Sequence, residues 1–577
     1  MNAKKACEDR RETMSRSISL ETNPNESVVD IHIREEMGWH RHRAAPVELW
    51  FKGWIHGHDA QSIAEWFRGK GQDICASEVG EFLASLQGHF SIAVRGTDWG
   101  IAAVDWVRSI PLAMVKVDGD WAVDDQADRL RRRAGLGAAD VDRASALEIA
   151  MAGYTVDVSS LYRGLTLLGP GELMMFRREE APERHRYFIY RPWQAASSDD
   201  STISRRLEEL TLEIMEKTLE SISGRPLIVP LSAGNDSRLI VSAARHLGYR
   251  DVRCFSYGRV GNFEADVART IAERLGYDWR FVPCTTGRVR SFFASNSFEE
   301  YLRFADSCSS TPFVQDMFVA ETLKQDGYIP PDAVFANGNS GDFISGGHIA
   351  PSLHRPEQGG DVESCRGRIL DALYEKHFGL WGVLRTVSNK ARITNRLSAS
   401  LERAEAKVED CENSFGLYEF AEFQDRQCKY VITGQRIYEF LGHEWRLPLW
   451  DNAYLAFWER VSLASKAGQT LYTRMLQDAN WGGVWRDIPV NRLNIRPHWL
   501  RPLRFLAKGV FAPFGRESWH QFERQYLQYW MDVTCNSACV PYSKVAGDRR
   551  GSRHSVSWLA ERYLARHDVS IDEFGLE

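Results

Sequence analysis

Between Pro226 and Thr285 short apolar runs alternate with amphipathic ones, and this alternation restricts the fold more than any other stretch. PLIVPL (226–231), VRCFSYG (252–258) and WRFVPCT (279–285) read as strands, and AVFANG (333–338) as a later one. RLIVSAARHL reads as a helix that Gly248 stops. FEADVARTIAERL reads as another, with Val267, Ala268, Ile271, Ala272 and Leu275 on one face and Gly276 closing it. Strand, helix, strand, helix, strand requires a parallel sheet carrying its crossover helices.

The rest of the 577 residues arrange around that unit. Residues 1–27 are polar without periodicity and are expected as a disordered arm. Residues 28–193 alternate short β-branched and aromatic runs (VVDIHI, VELWFKGWIHG, GHFSIAVRG, WGIAAVDW, IPLAMVKV) with helical patterns near 60–66 and 78–86, which predicts an α+β layered domain. QAASSDDST (194–202) suits a linker, 203–500 forms the α/β domain, and 501–577 reads as a helical C-terminal extension.

Lys and Arg total 72 against 78 Asp and Glu, a net charge of −6 that argues against a nucleic-acid binder. Ten scattered cysteines read as reduced thiols, and Cys535 with Cys539 lacks the second pair a zinc site needs. Neither a signal peptide nor an 18-residue apolar run is present, so the expected location is the cytoplasm.

The chemistry concentrates in Leu231-Ser232-Ala233-Gly234-Asn235-Asp236-Ser237, a small-residue loop between strand and helix. With a helix starting at Ser237 or just after, free N–H groups would converge on a phosphate. Asp236 would repel that anion unless Mg²⁺ bridges the two; the plainer alternative makes Asp236 and Ser237 helix caps. A Walker loop is excluded by its missing Gly-Lys-Ser/Thr. Asn337-Gly338-Asn339-Ser340-Gly341-Asp342-Phe343-Ile344-Ser345-Gly346-Gly347 again follows a strand and brings one carboxylate. At the carboxyl edge of one sheet, Asp236 and Asp342 could share a metal ion.

PLSAGNDSRLI resembles the SGGxDS pyrophosphate loop of the asparagine synthetase family, and NGNSGDFISGG resembles its SGEGADELFGG segment. Glu444-Trp445-Arg446-Leu447-Pro448-Leu449-Trp450-Asp451 is similar to that family's E-x-R-x-P-F-L-D stretch. LQGHFSIAV, Asp105 with Arg108, IPLAM, GYT (153–155) and LGPGE (168–172) resemble the glutaminase domain that precedes it, so the likeness spans 28–500. It implies an Ntn-type sandwich followed by a PP-loop ATP pyrophosphatase domain. It also implies an AMP-forming ligase that adenylates a carboxylate with ATP and passes it to ammonia or an amine. By the same likeness Leu231, Ser232, Ala233, Gly234, Asn235, Ser237 and Gly338 hold ATP, Asp236 and Asp342 ligate Mg²⁺, and Phe255, Ser256 and Tyr257 pass beneath the nucleoside.

Three departures accompany the likeness. The family's N-terminal cysteine is replaced by Asn2, and Cys7 lies upstream of the first strand, so the first domain is expected to be inactive as a glutaminase. The glutamate of SGEGADE is Asn339, which accepts no proton at neutral pH. The downstream lysine meets Asn491-Arg492-Leu493-Asn494; Arg492 is the expected cationic substitute, with Arg496 or Lys544 as alternatives. Glu264 is read as favouring a helix N-terminus over touching substrate, Asp451 as a helix cap, and Glu444 with Arg446 as either an ion pair or an acyl-site element.

The loop spelling is similar to that of divergent members tied to bacterial surface polysaccharides, which favours a sugar uronate, free or carried on a nucleotide or lipid, as the carboxylate. Lactam or macrolactam closure and a catalytically impaired nucleotide-binding scaffold are the alternatives, and the oligomeric state stays open. RPHWLRPLRFLAKGVFAPFGR (496–516) is expected as a basic helix pair packed on the core, with weak membrane-surface contact as the second reading.

Overall fold

The computed structural model describes residues 28–195, 200–355, 361–408, 411–490 and 497–575. The arm at 1–27, with Asn2 and Cys7, lies outside them, as do Arg492 and Arg496. The chain divides into two compact units, Met1–Asp140 with Tyr162–Ile189, and Val141–Leu161 with Tyr190–Glu577. Residues 141–161 belong to the second unit, with their helix Arg143–Ala152. Its Glu148 is buried against Arg396 at 2.6 Å.

The first unit is mixed α and β. A six-stranded antiparallel sheet runs in the order 183–186, 172–177, 99–104, 88–95, 47–55, 40–44, and a separate four-stranded sheet includes 113–117 and 120–124. Helices Ala60–Lys70 and Ala76–Ser85 lay Ile63, Phe67, Val79 and Leu83 on the large sheet against Leu49, Ile92 and Ile101. Asp105 there is a buried backbone anchor, accepting from Phe90 and Val107 N–H groups at 2.9 and 2.8 Å.

The second unit holds the parallel sheet. Its elements are β1 (Leu227–Pro230), α1 (Asn235–His246), β2 (Val252–Gly258), α2 (Phe263–Leu275), β3 (Asp278–Pro283), β4 (Val334–Ala336), α3 (Gly341–Ile344), β5 (Glu444–Arg446), α4 (Thr470–Ala479) and α5 (Leu500–Phe511). Every pairing is parallel and the strand order is β3-β2-β1-β4-β5. Leu227 sits between Val252 and Val334. The chain steps from β1 outward to β3, then returns to add β4 on the other side of β1. That reversal opens a crevice at the carboxyl ends of β1 and β4, where ligands gather in open parallel sheets.

β5 answers the question left over Glu444 and Arg446. Arg446 is buried and donates to Ser221 Oγ at 2.8 Å and to Glu444 at 3.2 Å, while Glu444 also pairs with Arg225. The pair secures an edge strand. Asp451 caps the following helix, accepting from Ala453 N–H at 2.8 Å.

Two expectations are corrected here. Cys365 and Cys411 form a disulfide with their Cα atoms 5.9 Å apart, so the cysteines are not all reduced thiols. The tail is not a core-packed helix pair: α5 exposes Phe505, Leu506 and Val510 to solvent. Among the described residues no helix is long and apolar enough to cross a membrane.

Candidate active site

A cavity of about 310 Å³ occupies the crevice, at the lower end of the size range of small-molecule sites. Leu231, Ser232, Gly234, Asp236 and Ser237 line it from the first loop, and Asn337, Gly338 and Asn339 from the second. Ser256 and Tyr257 come from β2, Glu264 from the first turn of α2, and Asp316, Val533 and Thr534 from farther along the chain.

α1 begins at Asn235, two residues earlier than expected, with Gly234 at its N-cap and no side chain capping it. Asp236 and Ser237 are therefore first-turn residues and not caps. The loop is tied internally instead. Ser232 N–H donates to Ser237 Oγ, and Gly234 N–H to Ser232 Oγ, each at 3.1 Å. Behind the loop the buried Arg238 donates to the carbonyls of Ala233, Pro489, Ile488 and Val484 at 2.8, 2.9, 3.1 and 3.2 Å. Desolvation lowers its pKa to about 10. Arg238 thus fixes the turn by clamping backbone, with no carboxylate as partner in those bonds.

The two loops meet backbone to backbone. A Cβ on Gly338 would lie 2.3 Å from Ser237 N, and one on Gly341 2.5 Å from the Asp236 carboxyl. Through this contact the Asp342 N–H donates to Asp236 Oδ2 at 2.9 Å, while Tyr472 on α4 donates its hydroxyl to Oδ1 at 3.1 Å. Burial, and then the neighbouring Asp342 charge, push the Asp236 pKa up to about 7. Asp342 is held below the ordinary aspartate value: burial opposes its charge, but the bond from His348 Nε2 at 3.1 Å outweighs it. The other ring nitrogen of His348 bonds Glu422, which His377 and Lys376 also approach at 3.1 and 3.3 Å. Glu422 stays well below the ordinary glutamate value, since His377 and His348 overcome its burial.

Deeper in the crevice Asp316 accepts the hydroxyls of Tyr257 and Tyr438, and desolvation raises its pKa. Glu264 faces the cavity from α2 and is likewise raised by desolvation, so it belongs to the cavity wall as well as to a helix N-terminus. The described lining thus holds three carboxylates, Asp236, Glu264 and Asp316, and no Lys, Arg or His. Asn339 stands in the wall, its N–H donating to Asn337 Oδ1 at 3.3 Å.

Of the expected site residues, Leu231, Ser232, Gly234, Asp236, Ser237, Ser256, Tyr257 and Gly338 line the cavity, and Asp342 adjoins it through Asp236. Ala233 and Phe255 do not line it; both are fully buried in the packing behind the loop and sheet. Asn235 opens α1 outside the lining. Lys544 does not reach the site either, lying 3.7 Å from Glu561 and over the Trp558 ring. Tyr472, His348, Glu422, Asp316 and Thr534 were not foreseen. No local motif marks the tyrosine, while His348 directly follows the Gly346-Gly347 pair that ends the second loop.

The family model for asparagine synthase matches residues 207–479. Residues 207–479 are an asparagine synthase domain. Both loops, Tyr472, His348 and Glu422 fall inside the asparagine synthase domain, while Val533 and Thr534 fall outside it. No curated protein matches the chain. Among solved structures, an allosteric regulatory enzyme of purine biosynthesis aligns at 13% identity over 42% of this chain and 62% of its own, with a TM-score of 0.16. This chain therefore spans less than two thirds of that protein. A glutamine phosphoribosylpyrophosphate amidotransferase from B. subtilis, complexed with ADP and GMP, aligns at 12% identity over 42% of this chain and 72% of its own, also at 0.16. Neither likeness fixes the fold, which rests on the strand order itself.

Proposed function

We propose that the asparagine synthase domain is AMP-forming, adenylating a small-molecule carboxylate and passing the acyl group to ammonia or an amine. In the first step a carboxylate oxygen attacks the α-phosphorus of ATP and the α–β bridging bond breaks, releasing pyrophosphate. In the second, the amine displaces AMP. The observation that carries this reading is the charge of the cavity. Three carboxylates with no cationic side chain in the described lining repel a bare triphosphate, yet the N-terminus of α1 opens into the same space. A nucleotide accompanied by a divalent cation satisfies both.

Asp236, raised by burial and by the neighbouring Asp342 charge, is in the state a cation relieves, so these two carboxylates fit Mg²⁺. Bound there, the ion would offset charge on the phosphates. The chain's own groups do the rest. Ser232, Gly234 and Ser237 receive the pyrophosphate end, and Ser256 and Tyr257 flank the nucleoside. Gln315 and Asp316 hold the Tyr257 hydroxyl in place. Asn339 offers no base, so the amine must arrive unprotonated or lose its proton to another group.

His348 orients Asp342, and Glu422 orients His348. Replacing His348 with Gln is expected to lower turnover roughly 10–100-fold, the usual cost of losing such a supporting partner. It should also shrink the rise in Tm that Mg²⁺-ATP produces. An undiminished thermal response would show that His348 does not position Asp342.

A sugar uronate is the favoured carboxylate on the spelling of the loops, with intramolecular amide closure the competing outcome. Pyrophosphate release from Mg²⁺-ATP, measured with free and nucleotide-linked uronates, aspartate and candidate amino-acid derivatives, separates them. Release that depends on a uronate and an added amine supports the reading. Release with an amino-acid derivative that needs no added amine identifies ring closure, and silence throughout with ATP still bound leaves a scaffold.

A further inference from the structure

The exposed apolar side chains of this chain are concentrated in one place. Trp499, Leu503, Phe505, Leu506, Val510 and Phe514, on and beside α5, are 54, 46, 80, 66, 66 and 69% exposed. Elsewhere the described large apolar residues that are exposed are five scattered valines. α5 is moored by its opposite side: Leu500 is fully buried, and Ala507 and Phe511 pack with it against Trp519 and Leu527. At 100° per residue, the outward arc runs from Arg501 and Lys508 through Phe505, Pro502 and Gly509 to Leu506, Val510 and Leu503. Its centre is apolar and its flank cationic.

We propose that α5 seats this enzyme on an anionic phospholipid surface, with Phe505, Leu506 and Val510 entering the headgroup–acyl boundary and Arg501 and Lys508 meeting lipid phosphates. Two features favour lipid over a folded partner. From Trp499 to Phe514 there is no Asp, Glu, Ser, Thr, Asn or Gln, so no side chain on this face accepts a hydrogen bond as a protein interface would need. From Pro497 to Arg516 the cations are Arg501, Lys508, Arg516 and Arg504, the last paired with Glu523, and the stretch itself holds no carboxylate, which is complementary to an anionic leaflet. Long cationic stems beside an apolar centre can reach outward to headgroups while the centre is immersed. The helix lies in the surface plane, since twelve residues span only about 18 Å.

The test is co-sedimentation of the full chain with phosphatidylcholine vesicles, with and without phosphatidylglycerol. Binding is expected to the phosphatidylglycerol vesicles, weakening as salt is raised. Arg501→Glu with Lys508→Glu should weaken it at least about 25-fold, taking about fivefold per cation removed. Phe505→Ser with Leu506→Ser should weaken it as well. All four side chains are exposed, so both variants should keep the wild-type melting temperature and pyrophosphate release in solution. A chain that stays in the supernatant with both vesicle types overturns the proposal. So does a concentration-dependent dimer in sedimentation velocity that the serine variant dissolves, because the face would then cover a second copy.

Discussion

Asp236→Asn is expected to abolish pyrophosphate release, a loss of at least roughly a hundredfold, and at the same time to stabilise the metal-free protein. The first effect follows if the carboxylate ligates the cation, since even the partners that merely support a metal ligand cost 10–100-fold when removed. The second follows from charge. With its folded pKa pushed up to about 7 by burial and by Asp342, Asp236 holds its proton more tightly folded than unfolded, where aspartate titrates near ~3.9. The folded state then binds more protons between those values, so the contribution of this group to stability falls as pH rises from about 4 to about 7 and stays unfavourable above. Asparagine removes the penalty. At pH 8 without Mg²⁺ the variant should melt a few degrees above wild type, by about 2–4 °C for each kcal/mol recovered; at pH 4 the two should converge. Added Mg²⁺-ATP should reverse the order, stabilising wild type alone. Asp342→Asn should share the loss of turnover. Full turnover in both variants would sink the site assignment.

Gly338→Ala is expected to be nearly as damaging without altering any charge. Its methyl group would lie 2.3 Å from Ser237 N and 2.6 Å from the Asp236 carbonyl carbon, and both obstacles are backbone of the first turn of α1. No rotamer relieves that contact, so the loops must part. Overpacking of this kind costs about 1–3 kcal/mol, and a displacement of about 1 Å between reacting groups costs on the order of a hundredfold in rate. Gly287→Ala, where nothing lies within 4 Å, is the control and should behave as wild type. If Gly338→Ala kept both its melting temperature and its turnover, the close apposition of the loops would not matter to catalysis.

How much of this was legible depended on range. β1 to β4 were readable because each is a short run dominated by apolar, β-branched or aromatic residues, and Asp236 and Asp342 because each carboxylate sits in a loop spelled by its neighbours. β5 was not, since three residues with one apolar side chain among them carry no period. Tyr472 reaches Asp236 across 236 positions of sequence, a distance at which local patterns say nothing. The Cys365–Cys411 bond closes 46 positions between cysteines with no recurring spacing. The tail was misjudged for a different reason. Counting apolar residues cannot tell a helix that buries one face from a helix that buries all of them, and α5 buries only the Leu500–Ala507–Phe511 stripe.

The cavity is finished by residues far downstream of both signature loops. The Val533 carbonyl accepts the Arg259 N–H at 2.8 Å, the Asp532 carbonyl accepts Arg259 Nε at 3.0 Å, and Val533 and Thr534 close the wall beside Glu264. On the ribosome, then, a nascent chain can display every hallmark sequence of its family and still present an open trough. On the proposed reading, nucleotide capture would wait for the C-terminal segment to emerge and fold back over β2. A product clipped or stalled ahead of Asp532 would carry the full signature of a ligase and lack a closed chamber to work in.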